Sequence, residues 1–472
     1  MQRGKYLAKN TALFALNVVG TKLIAFLLVP LYTKAFETSE YGMVDLINTI
    51  AVILVPIITL NIGEAVMRFG IDEETDKNDI SSIGILFGAL SFLLGFLVIP
   101  IMHFFPALRV SFPLVYMFCV AQGLYFTFSY NLRGQEKLVQ YAIGNILCTF
   151  LMAGLNILFL VILKLGIEGY FYAYITAYLV ATIYCIAVGD VFKIIKNFRI
   201  KSDLAKQMVK YSIVLVPNSF MWWIMNSSDH IMVTSMISIG ANGIYAISYR
   251  IPSILTAFSQ VFNQAWSYSA IHEDKSDDRT AFNNNMYDKL VRSQLMITSF
   301  LILIMKPFLK LYVSDAYYEA WKYTPYLLVG YFFLTMGTFL STSYTVNKDS
   351  KGFLISGTTG AVINIILNAI LIPIIGVHGA AFATCVSYIF VFLYRVRDTK
   401  KYIVINVFKK EYVFGYVLLI ITAASMFIDS SVGIAVLVVE FLLCVFLNIK
   451  FIIECISLGK TIGKKILGRL RE

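Results

Sequence analysis

The amino-acid sequence predicts an all-α protein that crosses a membrane many times, built from two homologous six-helix halves and a C-terminal helix pair. Three observations support this fold class. Of the 472 residues, 58% are hydrophobic and only 14% are charged, whereas soluble domains carry about 25% charged residues. Apolar runs long enough to cross a bilayer recur to the end of the chain. A weak internal repeat relates the two halves.

The apolar runs predict about fourteen membrane-spanning helices. Each run has about 18 or more residues, and a rise of about 1.5 Å per residue carries such a helix across a hydrocarbon core of roughly 30 Å. The connections are short, so none is expected to hold a soluble domain. The helices are predicted to begin near Asn10, Val44, Ser81, Val110, Gln140, Glu168, Tyr211, Asn242, Leu290, Tyr323, Phe353, Gly379, Glu411 and Val432.

The chain resembles itself when each residue is set beside the one 201 positions later. Asn17 then aligns with Asn218, and Gly42 aligns with Gly243. Because six is an even number, both halves enter the membrane from the same side, which predicts parallel repeats with the substrate between them. The expected domains are an N-lobe over 1–200, a C-lobe over 201–400, and a helix pair with a basic cytoplasmic tail over 401–472.

The net charge of +11 is distributed as expected for a membrane protein rather than for a nucleic-acid partner. Basic residues are frequent in alternate connections, which predicts that these connections and both termini are cytoplasmic. The connections on the opposite side keep only a handful, among them Lys34, Arg109, Lys164 and Lys306. The predicted inner set includes Lys193, Lys196, Arg199, Lys201, Lys206, Arg395, Arg397, Lys400, Lys401, Lys409, Lys410, Lys460, Lys464, Lys465, Arg469 and Arg471.

No residue pattern predicts an enzyme, a metal site or a cofactor. The six cysteines lie in apolar runs without close pairs, and the four histidines are far apart in the sequence, so neither type shows metal-ligand spacing. The sequence has no Gly-x-Ser-x-Gly elbow, and Gly459-Lys460-Thr461 matches only three residues of a Walker-type phosphate loop. We therefore expect no catalysis and no energy supply from bound ATP.

An arginine in the eighth predicted helix, which spans 243–265, is the strongest functional clue. Ser253, Gln260 and Gln264 follow Arg250 at +3, +10 and +14, which places them on one face of a helix. Pro252 lies two residues after Arg250 and can bend the backbone there toward the cavity. A guanidinium within the membrane above small and amide side chains is typical of a water-filled cavity. The predicted cavity lining comprises Asn17, Asn218, Ser253, Gln260 and Gln264.

Lys22 is the second cation expected at this depth. It lies about 12 residues into the first helix from the inside, and Arg250 about 8 residues into the eighth from the outside, so both reach a similar level. An intramembrane cation costs about 2.5–3.5 kcal/mol, which favours a shared anion site. The alternatives are a lysine that extends to the membrane surface and an arginine bound to backbone carbonyls.

Two acidic residues lie near the outer ends of predicted helices. Asp45 begins the second helix, and Asp229 is near the end of the seventh. Either could bind a coupling ion, H⁺ or Na⁺, or neutralise Arg250. The alternative is that both cap helices or contact interfacial water.

Residues 30–34 (PLYTK) and 40–46 (EYGMVDL) resemble the opening of Wzx-type polysaccharide-biosynthesis flippases. These belong to the multidrug/oligosaccharidyl-lipid/polysaccharide exporter superfamily. The resemblance extends to about Arg397, and the added pair matches the fourteen-helix members. It implies two lobes in a V and alternating access. It also implies outward transport of a polyprenyl-diphosphate-linked oligosaccharide across the bacterial cytoplasmic membrane, for O-antigen, capsule or exopolysaccharide assembly, alongside a polymerase and chain-length machinery.

The resemblance also bears on the two cations. Related lipid II flippases carry cavity arginines in the first and eighth helices. Arg250 is similar to the second of these, whereas Lys22 takes the place of the first and lacks bidentate geometry. Across a membrane that is negative inside, outward movement of a diphosphate is favourable by about 2.3 kcal/mol per charge per 100 mV. Two cations in the cavity would lower the barrier to this movement.

Two other functions are compatible with the sequence. A cation-coupled drug or metabolite antiporter of the same fold would depend on Asp45 or Asp229. A membrane polymerase or glycosyltransferase would be expected to carry a large loop with catalytic residues, and the short outer connections disfavour it.

Overall fold

The computed structural model describes residues 20–71, 75–97, 112–272, 278–347 and 349–457. All regular secondary structure in these ranges is helical, which confirms the predicted fold class. Helical residues 20–27 precede the first labelled helix. The α-helices are α1 (Val29–Ala35), α2 (Thr38–Ile58), α3 (Ile62–Gly70), α4 (Lys77–Leu94), α5 (Phe112–Gly134), α6 (Leu138–Asn156), α7 (Gly166–Val188), α8 (Val191–Lys196), α9 (Ser202–Met236), α10 (Ile239–Ser248), α11 (Pro252–His272), α12 (Arg279–Tyr312), α13 (Thr324–Val346), α14 (Ser350–Ile375), α15 (Val377–Asp398), α16 (Lys410–Ser425), α17 (Ser431–Leu447) and α18 (Ile449–Ser457).

Shorter helical segments join some of these helices. A π-helical segment follows α6 directly and ends just before α7. The other segments are 3₁₀ turns. The π segment is Ile157–Ile162, and the 3₁₀ segments are Gly95–Leu97, Asp315–Lys322 and Thr399–Lys401.

Nine helices of the described chain are long and apolar enough to cross a membrane. A tenth span forms if α17 and α18, which are bent by 62° at their junction, are counted together. Of the other four predicted spans, the first has its predicted start, Asn10, outside the described residues. The remaining three correspond to α9, to the interrupted α10 and α11, and to α16. The chain is a multi-pass membrane protein.

Polar residues between the spans determine where several helices begin. Before α2, the Glu37 backbone N–H donates to the Glu40 carboxylate at 2.9 Å, within a capping box. Asp76 accepts the Asn78 N–H at 2.9 Å at the start of α4. Such contacts satisfy N–H groups that have no partner within the helix. Short acidic sequences between apolar runs therefore act as helix start signals.

Packing divides the chain into two compact units, and the first comprises residues up to 246 together with 313–317. In this unit α5 packs against α3, α4 and α7, and α9 packs against α2 and α3. The core between α3, α4 and α9 is apolar and closed to solvent. It contains Ile62, Ala65, Val66, Ile80, Ile83 and Met208.

The second unit comprises residues 247–312 and 318 onwards. Its central helix α13 packs against α11, α12, α15 and α16. Buried Phe332, Met336 and Phe339 line this helix. The unit boundary after Ala246 does not coincide with the sequence repeat, whose expected boundaries at 200 and 400 stay a prediction.

One basic residue assigned to a cytoplasmic connection is instead buried in the second unit. Arg395 lies within α15 and is 2% exposed. Its Nε donates to Ser356 Oγ at 3.1 Å, and its Nη1 donates to the Gly337 carbonyl at 3.0 Å. The assignment of Arg395 to a loop was therefore wrong. The guanidinium is tolerated inside the bundle because protein oxygens satisfy its donors.

The connection between α7 and α8 carries a charged cluster around one carboxylate. Asp190 Oδ2 accepts a hydrogen bond from Lys137 at 2.8 Å, and its Oδ1 accepts one from Lys193 at 2.7 Å. The hydrogen bonds from Lys137 and Lys193 lower the pKa of Asp190 to about 2. The cluster joins the start of α6 to the α7–α8 connection.

Candidate functional site

The helix that carries Arg250 is interrupted. α10 ends at Ser248, α11 begins at Pro252, and residues 249–251 form a turn between them. Pro252 has no N–H for the Ser248 carbonyl one turn earlier, and the buried Thr324 hydroxyl lies 3.3 Å from that oxygen. The bend expected at Pro252 is a break, so the helical spacing of +3, +10 and +14 does not extend back to Arg250. Arg250 lies in the turn, half-buried.

The predicted cavity lining is described only in part. Ser253 donates its hydroxyl to the Arg250 carbonyl at 2.5 Å, so this side chain binds the backbone of the turn. Gln260 is exposed on α11. Asn17 and the side chains of Asn218 and Gln264 lie outside the described residues.

Lys22 lies in the helical segment 20–27 and is half-buried. It belongs to the first unit, and Arg250 belongs to the second. An anion site shared by the two cations therefore stays a prediction.

A buried polar cluster connects α2, α9 and α10 within the first unit. His230 Nδ1 lies 2.7 Å from Asp45 Oδ2 and 3.1 Å from Asn242 Oδ1. Asn242 donates to the same Asp45 oxygen at 3.1 Å and to the Gly42 carbonyl at 3.3 Å. Because Nδ1 faces two oxygens, we infer that it carries a proton and donates to Asp45. Asn242 is completely buried, and His230 is 7% exposed.

The second carboxylate of the cluster belongs to the residue before the histidine. Asp229 accepts the Tyr245 hydroxyl at 2.7 Å and the His230 backbone N–H at 3.0 Å. Asp229 is 3% exposed, and Tyr245 is completely buried. Asp229 lies inside α9, and Asp45 lies inside α2. Neither residue is a helix cap, so the capping alternative is excluded for both.

Two glycines allow the helices around this cluster to come close together. A Cβ atom on Gly42 would overlap the Ile239 carbonyl oxygen, and one on Gly243 would overlap the Thr38 carbonyl oxygen. Glycine is required wherever two backbones approach this closely. The contact holds the start of α2 against the start of α10, beside Asn242.

Sequence reasoning found the two carboxylates of this cluster but missed His230, Asn242 and Tyr245 as their partners. The four histidines were judged only by their mutual spacing, and no metal-ligand pattern exists among them. The adjacent Asp229 and His230 within an apolar segment could have indicated the cluster, because intramembrane ionisable groups are rare and pair with one another.

The cluster can bind and release a proton. The imidazole lies beside the Asp45 carboxylate, whose side chain is 16% exposed, and belongs to the residue that follows the buried Asp229. Histidine changes charge near neutral pH, and its charge state alters its attraction to a neighbouring carboxylate. No group of three or more His, Cys, Asp or Glu side chains in the described chain could hold a metal ion.

Comparisons with known proteins identify the family and support the fold. Residues 7–271 match the profile of a family described as polysaccharide biosynthesis protein. This range contains α1 to α10, nearly all of α11, Lys22 and Arg250. A comparison with curated proteins found no match.

Several solved structures share the fold. The lipid II flippase MurJ in an inward closed conformation is 16% identical, with 93% of this chain and 100% of that chain covered and a TM-score of 0.62. An inward-facing multidrug resistance MATE family transporter of the MOP superfamily is 12% identical, with 88% and 100% covered and a TM-score of 0.63. The Vibrio cholerae MATE transporter VcmN in the bent form is 13% identical, with 85% and 100% covered and a TM-score of 0.52. At these identities the likeness concerns the fold.

Proposed function

Because the chain belongs to the family of polysaccharide biosynthesis proteins, we propose that it is a flippase for a polyprenyl-diphosphate-linked oligosaccharide. It would move this lipid from the inner to the outer face of the bacterial cytoplasmic membrane by alternating access, with both termini cytoplasmic. The product would enter O-antigen, capsule or exopolysaccharide assembly, with a polymerase and chain-length machinery as partners. The observation that carries the proposal is the family match over residues 7–271, on a fold shared with flippases and transporters.

Arg250 is proposed to bind the diphosphate. Interrupted membrane helices are tolerated where they line a protein interior or a water-filled cavity, and ligand sites are often built at such interruptions. A half-buried guanidinium in the turn between α10 and α11 suits a doubly charged phosphate group. Lys22 is the proposed second cation. The sugars would occupy the cavity lined by Asn17, Asn218, Ser253, Gln260 and Gln264.

The test is export in a deletion strain complemented with variants at matched expression. Arg250→Gln removes the charge, so lipid-linked oligosaccharide should accumulate on the cytoplasmic leaflet and surface glycan should fall at least tenfold. Arg250→Lys should restore part of the export because it keeps the charge. The control is Arg68→Gln, which neutralises an exposed arginine on α3 within the same family match. Export by Arg250→Gln at the parental rate would refute the assignment.

We further propose that transport is coupled to protons at the cluster of Asp45, Asp229 and His230. The imidazole contacts Asp45 at 2.7 Å, so binding or loss of one proton changes the interaction between α9 and α2. Proteoliposomes with an imposed pH gradient would test this. His230→Gln should abolish the response to the gradient, and replacing Na⁺ by K⁺ should leave the parent unaffected. If transport by His230→Gln still responded to an imposed gradient and depended on Na⁺, the coupling ion would be sodium instead.

The same buried cluster supports a second candidate function, a cation-coupled antiporter for drugs or metabolites. In that case Asp45→Asn or Asp229→Asn would abolish efflux of organic cations and leave surface glycan unchanged. Loss of glycan export without any change in efflux would exclude this candidate.

A further inference from the structure

An open groove in the first unit lies outside every site discussed above. It has a volume of about 600 Å³ and runs between α1 on one side and the π-helical segment with the start of α7 on the other. Its floor and walls are largely apolar and include Leu31, Leu160 and Val161. Lys34 and Lys164 lie on its lining. The volume is within the range of about 300–1,000 Å³ usual for sites that bind small molecules.

The two lysines are unusual in their position, and neither has an ion-pair partner among the described residues. Both belong to the few basic residues of the predicted outer side, where positive charge is depleted. Lys306, from the same small set, pairs with Asp429 at 2.8 Å and stacks on the Trp321 ring at 3.8 Å. For Lys34 and Lys164, by contrast, the described chain provides no ion pair, and both side chains are exposed. The groove therefore offers two positive charges that no carboxylate of the described residues balances.

The backbone at the groove departs from regular helix. The π-helical turn Ile157–Ile162 follows α6, and such turns are frequent at functional sites. Lys164 adopts a left-handed conformation with φ of 53°, and Gly166 does so with φ of 60°. A lysine in this conformation is uncommon. Lys164 lies in the connection between the π-helical segment and α7, and this connection places it on the lining of the groove.

Large apolar side chains surround the groove and remain exposed, which is expected for a surface in contact with lipid. Ile162 is 66% exposed, and Val161 is 51% exposed. An occupant must therefore be apolar along most of its length and anionic at one end. A phospholipid with a net negative headgroup has this chemistry.

We propose that this groove binds one anionic phospholipid of the bilayer. Its headgroup phosphate contacts Lys34 and Lys164, and the upper part of an acyl chain lies against Leu31, Leu160 and Val161. The site would anchor α1 to the segment before α7. It is separate from the proposed diphosphate site, and it requires no transported oligosaccharide.

Native mass spectrometry of the full-length chain in detergent tests the proposal with two probes, phosphatidylglycerol and phosphatidylcholine carrying identical acyl chains. The parent should retain phosphatidylglycerol preferentially. Each lysine near a charged headgroup is worth about a fivefold change in binding, so the double variant Lys34→Gln/Lys164→Gln should reduce this preference roughly 25-fold. Lys310→Gln neutralises an exposed lysine outside the groove and should change nothing. Added salt should weaken retention by the parent because exposed charges are screened.

A second variant tests the apolar part of the groove. Val161→Trp fills the volume but keeps both lysines, so it should reduce retention of both phospholipids. Equal preference for phosphatidylglycerol in the parent and the double lysine variant would overturn the proposal. It would also be overturned if a polyprenyl diphosphate displaced phosphatidylglycerol at equal concentration, because the groove would then belong to the transported lipid. Neither result depends on whether the protein exports glycan.

Discussion

Replacing Gly42 by alanine should destabilise the protein, although alanine normally stabilises a helix. At this position a Cβ atom would overlap the Ile239 carbonyl oxygen, and the neighbouring Gly243 backbone is also close. A backbone carbonyl cannot rotate away as a side chain can, so the two helices must separate. Overpacking of this kind costs about 1–3 kcal/mol, and the helix propensity of alanine offsets about 1 kcal/mol of it.

The expected net loss for Gly42→Ala is therefore up to about 2 kcal/mol. For a unit of this size that corresponds to a fall in Tm of roughly 4–8 °C, measured by thermal unfolding in detergent. The same sign is expected for Gly243→Ala, whose Cβ would overlap the Thr38 carbonyl oxygen. The double variant should lose less than the sum of the two, because one separation of the helices relieves both overlaps.

Two matched controls come from helical glycines in open space. A Cβ atom on Gly154 of α6 or on Gly357 of α14 meets nothing within 4 Å. Alanine at these positions should leave Tm unchanged or raise it. Its higher helix propensity adds up to about 1 kcal/mol to the free energy of unfolding. If Gly42→Ala behaved like Gly154→Ala, the close approach of α2 and α10 would be refuted.

Three further predictions follow from the described contacts. In a double-mutant cycle with Asp45→Asn and His230→Gln, unfolding in detergent should give a coupling free energy of about 0.5–3 kcal/mol, and a value of zero would refute the contact. Arg395→Lys should cost about 1–3 kcal/mol because buried oxygens lose their donors, whereas Arg397→Lys, at an exposed position, should be neutral by the same measurement. The lowered pKa of Asp190 stabilises the folded state above the ordinary carboxyl pKa of about 4. This contribution should disappear as pH falls through about 2, so Tm curves of the parent and Asp190→Asn should converge there and stay apart above a pH of about 5.

The fold was predictable because its main signal is local. Length and hydropathy identify each membrane helix without knowledge of its neighbours, and each predicted start from Val44 onwards lies in or beside a helix of the described chain. The interruption near Arg250 was predictable in kind, because Pro252 removes a backbone donor. The position of the turn was not, since it depends on tertiary contacts such as that of the Thr324 hydroxyl with the Ser248 carbonyl.

The partners in the candidate site could not be read from the sequence. Asp45 and His230 are 185 residues apart, and their contact depends on the register of α2 against α9. Hydropathy cannot provide that register. The same limit explains Arg395, whose position at the end of an apolar run looks like a loop. Only the packing of α13 and α14 around it places oxygens within reach of its guanidinium.

The packing of α9 has a consequence for how the two halves of the polypeptide depend on each other. α9 follows the expected repeat boundary at 200, yet it packs against α2 and α3 and contributes Met208 to their core. A fragment that stopped at residue 200 would leave this apolar core open on one side. The interior of the first unit would be completed only when the fragment that begins at residue 201 associates with it, because α9 and residues 313–317 belong to that unit.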